Sequence, residues 1–211
     1  MKYQGIIFDL DGVLCHTDLY HYQAWKALAD RLGIPFDEQV NDRLRGVSRA
    51  ESLEIILEQS PVSYTAEEKL AFTEEKNDRY RALLMQMTPA DVADDVRMTL
   101  DALRSQGLPL AIGSASKNTQ LILNQTGLNE YFDAVADGTQ ITHSKPDPEV
   151  FLLAARLLRL APAEALVVED AAAGIAAAAA GGFDSAGIGP ASLCPDATYP
   201  LQKLSDLLAI L

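Results

Sequence analysis

Apolar runs a few residues long, spaced by stretches of helical periodicity, constrain this chain more than any other feature. Gly5 to Phe8 is too short for a helix and stops at Asp9-Leu10-Asp11-Gly12, so it reads as a buried strand running into a turn. Comparable strands are expected at Leu108 to Gly113, Ala134 to Ala136, Ala165 to Val168 and Asp184 to Ile188. Between them the spacing predicts helices over Val96 to Gln106, Leu121 to Thr126 and Val150 to Leu160. Gly107 and Gly127 close the first two, and Asp147 opens the third with Pro148 as first helical residue. Strands alternating with helices predict an α/β fold built on a doubly wound parallel sheet.

One long stretch breaks the alternation. From about Thr17 to Pro89 the pattern is helical, with Ala24, Trp25, Leu28 and Leu32 at helical spacing before Gly33. Ser48 with Glu51 and Thr65 with Glu68 each make a capping box. The expectation is an inserted helical cap domain over 17–92, with the core formed by 1–16 and 93–211. A length of 211 residues accommodates both. The Ala run from Ala176 to Ala180 reads as a tightly packed helix.

A formal charge of −13 argues against a polyanionic partner, because a surface that grips nucleic acid needs clustered Lys and Arg. Any phosphate must therefore be held locally. Cys15 and Cys194 cannot build a disulfide framework and suit a reducing compartment. No run approaches the roughly 20 apolar residues of a membrane span. The expectation is a cytoplasmic monomer acting on a small molecule, with no nucleic acid and no membrane.

In an open parallel sheet, reactive groups gather beyond the C-terminal ends of the strands. Here the first strand delivers Asp9 and Asp11, the second Ser114, and Ala165 to Val168 delivers Glu169 and Asp170; Lys145 arrives in a loop. An Asp can attack phosphorus only when the phosphate's charge is neutralised, which a magnesium ion and an ammonium group do together. Oxygen ligands suit magnesium, so Asp9, the backbone carbonyl of Asp11, Glu169 and Asp170 form its candidate site. Lys145 then balances charge, Ser114 donates to a phosphate oxygen, and Asp11 passes a proton to and from a hydroxyl. Taken singly, each of these residues is equally a solvated turn, a strand-end hydroxyl or a helix-start acid. Their conjunction is what points to phosphoryl transfer.

Phe8-Asp9-Leu10-Asp11-Gly12-Val13, Ser114, Ser144-Lys145-Pro146 and Val168-Glu169-Asp170 resemble the four motifs of the haloacid dehalogenase superfamily, whose core is a Rossmann-like sheet. Within it, His21 to Leu28, Gly46-Val47-Ser48-Arg49, Lys76-Asn77-Asp78 and Ser114 to Asn118 resemble the β-phosphoglucomutase family. That resemblance implies interconversion of β-D-glucose 1-phosphate and D-glucose 6-phosphate, through phosphorylated Asp9 and with β-glucose 1,6-bisphosphate as intermediate and primer. It implies that Ser114 and Lys145 hold the transferring phosphate and that Arg49, Ser116, Lys117 and Asn118 hold the distal one. His21 and Lys76 match cap residues that sense substrate, and Trp25, Gly46 and Ser52 fall at further cap positions of the binding set. The spacing of Trp25 already suits the cap core, and on the residues alone His21 reads as a satisfied surface histidine. His16 and His143 read as structural. Cys15-His16, Asp94-Asp95 and Ala171-Ala172-Ala173 depart from the family pattern. A sugar-phosphate phosphatase would use the same Asp9, with water in place of a sugar hydroxyl as acceptor.

Overall fold

The computed structural model describes residues 2–44 and 47–211. Strand β1 (Gly5–Phe8) leads into α1 (Asp18–Leu32), α2 (Glu38–Asp42), α3 (Arg49–Leu57) and α4 (Ala66–Leu84). Strands and helices then alternate as α5 (Asp94–Ser105), β2 (Leu110–Gly113), α6 (Thr119–Thr126), β3 (Ala134–Ala136), α7 (Glu149–Leu158), β4 (Ala165–Glu169), α8 (Ala172–Ala180) and β5 (Asp184–Gly187), with β6 (Tyr199–Pro200) last. The chain divides into two units, Met1–His16 with Met87–Leu211, and Thr17–Gln86. Among the described residues no helix is long and apolar enough to cross a membrane.

The larger unit is a parallel sheet in the order β3-β2-β1-β4-β5-β6. Every residue of β1, β2 and β4 is buried, which is why these strands show as unbroken apolar runs and not as alternation. Ile7, Ala111, Val167 and Ala165 pack with Val150, Phe151 and Ala154 of α7 and with Ala177 and Ala178 of α8. From β1 the chain builds outward through β2 to β3, then returns to β1's other side for β4, β5 and β6. The reversal opens a crevice at the carboxyl ends of β1 and β4, where an open sheet binds its ligand.

The sequence-based boundaries shift where local chemistry intervenes. Leu108 lies before β2, because its N–H donates to Leu103 O at the end of α5 and the next residue, Pro109, has no N–H for a ladder. Ile188 falls after β5, its N–H donating to Glu169 O. Pro148 is the N-cap of α7 and not its first residue, with Asp147 Oδ1 accepting from Glu149 N at 2.9 Å; α7 ends before Leu160, at Arg159 with φ 61°. Asp94 and Asp95, ahead of the helix expected from Val96, form the first turn of α5, and Asp95 Oδ2 accepts from Ser205 N. The edge strand β6, two residues long and containing Pro200, leaves no alternation to read.

The helical unit closes on Trp25, Leu28, Ala29, Ile34, Phe36, Val40, Leu44, Leu53 and Ile56. Both expected capping boxes are formed: Glu51 N donates to Ser48 Oγ at 3.3 Å, and Glu68 N to Thr65 Oγ1 at 3.2 Å, with each glutamate accepting in return. Thr65→Ala should therefore cost about 1 kcal/mol in denaturant unfolding, and Thr65→Gly only a few tenths, because glycine still suits a cap position. Equal losses for the two variants would remove the cap from the account.

Candidate active site

The turn after β1 is pinned on both sides. Asp9 N donates to Val168 O at 2.9 Å, and Leu14 N and Cys15 N both donate to Leu10 O. Gly12 adopts φ 86°, a conformation that glycine reaches without penalty, and its N–H donates to Cys15 O at 2.7 Å. A Cβ on Gly12 would lie 2.0 Å from Asp170 Oδ2, so the Asp170 carboxylate rests against this turn. Burial holds the Cys15 thiol well above its ordinary value, with the charges of Asp11, Asp9 and Asp91 adding to the shift; this is an inert, packed thiol.

Lys145 ties the strand ends together. Its Nζ donates to Asp9 Oδ1 at 2.5 Å and to Glu169 Oε1 at 2.6 Å, while Glu169 Oε2 accepts from Ala171 N at 2.7 Å. The three side chains are at most 10% exposed, and the ammonium sits 4.5 Å from the Phe151 ring centre. Ligand oxygens of Asp9, Glu169 and Asp170 lie within 4.8 Å of one another. An all-oxygen donor set of this size fits magnesium.

At the end of β2, Ser114 is buried and its N–H donates to Ala136 O. Its Oγ accepts from Ser116 N at 3.2 Å, and Ser116 Oγ accepts from Asn118 N at 3.1 Å, so the loop before α6 is folded on its own hydroxyls. Lys117 is exposed and Asn118 buried. Gly138 secures this loop from β3's side, its N–H donating to Ser116 O at 3.1 Å.

The helical unit holds a cationic cluster of its own. Lys76, 3% exposed, has Nζ 2.9 Å from His21 Nδ1, 4.8 Å from the Trp25 ring centre and 4.6 Å from that of Tyr80. The His21 and Tyr80 rings stack at 4.0 Å. Burial, then the charges of Lys76 and Arg49, hold His21 well below its ordinary value, so it is neutral. The Lys76 ammonium can only donate, which makes Nδ1 the acceptor and leaves the proton on Nε2. Arg49 Nη2 donates to Asn77 Oδ1 at 2.8 Å.

Four sequence-derived residues thus meet directly: Asp9, Lys145, Glu169 and Asp170. His21 departs from the surface histidine that the residues alone suggest, because partners 55 and 59 positions away in sequence cover it. Trp25 belongs to the unit's core, where helical spacing puts it, and Ser52 is buried on the packing face of α3 beside Leu53 and Ile56. Gly46 lies outside the described residues. Tyr80 and Phe151, which seat the two lysines, carried no signal beyond apolar periodicity.

Residues 3–182 match the family described as haloacid dehalogenase-like hydrolase. A β-phosphoglucomutase from Bacillus subtilis is 37% identical over 206 residues, 97% of this chain and 91% of that protein. A fructose-1-phosphate phosphatase from Escherichia coli is 31% identical over 186 residues, 87% of this chain and 95% of the other. Among solved structures, a β-phosphoglucomutase from Clostridium difficile superposes with a TM-score of 0.90 at 37% identity, covering 97% of this chain and 93% of its own.

Burial raises the Asp9 carboxyl from 3.8 to about 8; Lys145 draws it back, while the charges of Glu169 and Asp170 push it further up. Burial also opposes the charge on Lys145, but the pull of Asp9 and Glu169 overcomes it and holds the ammonium above its ordinary value. Without metal, folded Asp9 keeps a proton between about pH 4 and about pH 8 that the unfolded chain has lost. That stabilisation is full below about pH 4 and is lost as pH rises through about 8. In metal-free buffer the melting temperature of wild type should therefore fall relative to Asp9→Asn between about pH 5 and about pH 9. A pH-independent gap between the two melting curves would contradict the raised Asp9.

Proposed function

The chain is an enzyme of the haloacid dehalogenase-like hydrolase family, and from that premise we propose that it interconverts β-D-glucose 1-phosphate and D-glucose 6-phosphate, as β-phosphoglucomutases do. The observation that carries phosphoryl transfer is the buried Lys145 ammonium shared by Asp9 and Glu169, with Asp170 alongside. The relative from Bacillus subtilis supports the mutase over the phosphatase, since its likeness spans nearly the whole chain.

In the proposed reaction an Asp9 carboxylate oxygen bonds to phosphorus of β-glucose 1,6-bisphosphate, and the bond from phosphorus to one sugar oxygen breaks. Asp11 gives its proton to that leaving oxygen. In the second half, the substrate's hydroxyl oxygen bonds to that phosphorus, the bond from phosphorus to the Asp9 oxygen breaks to free the carboxylate, and the hydroxyl proton returns to Asp11. Lys145 stays charged throughout, offsetting the phosphoryl oxygens, and Ser114 donates to one of them. Asp9, the Asp11 carbonyl, Glu169 and Asp170 would hold magnesium, which would supply further charge neutralisation when bound.

The distal phosphate is assigned to Ser116, Lys117 and Asn118. Arg49, His21 and Lys76 are the helical unit's proposed substrate-binding residues, and the neutral His21 suits a sugar hydroxyl because Nε2 carries the donor proton. The enzyme is placed in the cytoplasm, as a monomer acting on a small sugar phosphate.

β-Glucose 1-phosphate with a trace of bisphosphate should yield glucose 6-phosphate, and the α anomer run alongside should not; free glucose and inorganic phosphate as sole products would hand the site to the phosphatase reading. Asp9→Asn should leave no acid-stable, hydroxylamine-sensitive phosphoenzyme. Arg49→Ala should reduce mutase turnover by roughly 100-fold, the scale of a lost charged contact, while changing hydrolysis of p-nitrophenyl phosphate by less than about threefold. Proportionate losses on both substrates would remove Arg49 from sugar-phosphate binding.

A further inference from the structure

Helix α8 is almost pure alanine, Ala172, Ala173, Gly174, Ile175 and then Ala176 to Ala180. Glycine is the poorest helix former after proline, so Gly174 weakens a helix whose other positions are filled by the best former there is. No turn asks for it, since Gly174 is not among the residues with positive φ. What asks for it is space. A Cβ at Gly174 would lie 1.9 Å from Glu169 Oε1, 2.0 Å from its Cδ and 2.5 Å from its Cγ. The Glu169 side chain crosses the bare Cα of Gly174, and from there Oε1 reaches Lys145 Nζ and Oε2 reaches Ala171 N.

We propose that Gly174 is a positioning residue of the active site: its missing side chain forms the slot that holds the Glu169 carboxylate against Lys145. The inference rests on the phosphoryl-transfer reading through the role of Lys145, and not on the choice between mutase and phosphatase. Gly12 stands in the same relation to Asp170, but its φ of 86° requires glycine for the backbone as well, so a substitution there mixes two effects. At Gly174 the effect is steric alone.

The atoms in the way, Oε1, Cδ and Cγ, all belong to the Glu169 side chain and none to the backbone. An alanine at 174 therefore leaves the backbone in place and swings the Glu169 carboxylate out of its slot. Lys145 then keeps Asp9 as its partner and loses Glu169, which lets the ammonium follow Asp9 and shift from the position that faces the phosphoryl group. Fold and site respond in opposite directions: the helix gains a better former while the site loses its geometry.

Three variants test this, Gly174→Ala, Glu169→Ala and the double variant Gly174→Ala with Glu169→Ala. Each is followed by thermal melting and by turnover on both β-glucose 1-phosphate and p-nitrophenyl phosphate. Gly174→Ala should melt at or up to about 4 °C above wild type, from its helix propensity, yet lose at least about tenfold in turnover on both substrates. Glu169→Ala should be impaired by itself, and adding Gly174→Ala to it should change turnover by less than about twofold, because the new methyl then meets no carboxylate. Wild-type turnover in Gly174→Ala, a turnover loss that merely follows a lowered melting temperature, or a further several-fold loss when Gly174→Ala is added to Glu169→Ala would each overturn the proposal. The mutase reading fails separately, on wild type, if no glucose 6-phosphate forms; the comparison on the nitrophenyl ester is untouched by that result.

Discussion

Everything in the larger unit converges on one buried ammonium between the carboxyl groups of Asp9 and Glu169. Withdrawing an ion from water costs several kcal/mol even after relaxation, and Lys145, Asp9 and Glu169 are all withdrawn. Their mutual attraction offsets that cost only while the geometry is tight. Burial first, and then the charges of Glu169 and Asp170 close by, lift Asp9 toward about 8. A phosphate dianion would be repelled by such a cluster, whereas a divalent cation would be drawn in. The same arrangement that is costly in the resting protein thus selects the order in which charge must be supplied.

That cluster can exist because its supports are rigid. Asp9 and Glu169 stand at the ends of adjacent parallel strands whose residues are fully buried, paired Phe8 to Val168 in register. The Lys145 ammonium sits over the Phe151 ring, and Phe151 is itself fixed in the core beneath β1 and β2. Apolar burial at roughly 25 cal/mol per Å² holds these strands, and the polar site draws on that stability without contributing to it. The reversal of strand order beside β1 then determines where the site lies.

Much of this was legible in the sequence because buried parallel strands write continuous apolar runs, and the runs of β1, β2 and β4 are each cut off by a polar residue of the site. Asp9, Ser114 and Glu169 could be placed by that rule, as could the capping boxes at Ser48 and Thr65, whose partners lie three residues away. What escaped was set by distant partners or by backbone chemistry. The burial of His21 depends on Lys76 and Tyr80, more than 50 positions along, and no local pattern announces it. The start of β2 depends on Pro109 lacking a donor, and β6 is too short for any periodicity.

Gly174 lay in plain view and still gave no signal, because a small residue among alanines reads as close helix packing. Its neighbour in space, Glu169, is a near neighbour in sequence, yet the pair matters only once Lys145 is brought in from another loop. A position can thus be chosen against its local preference when the side chain that occupies its empty volume is held from elsewhere. The helix forgoes the stability an alanine would bring, and the carboxylate gains a wall on one side and an ammonium on the other. Local propensity and site geometry conflict at this position, and the direction in which the conflict is resolved identifies α8 as part of the active site's frame as well as of the core.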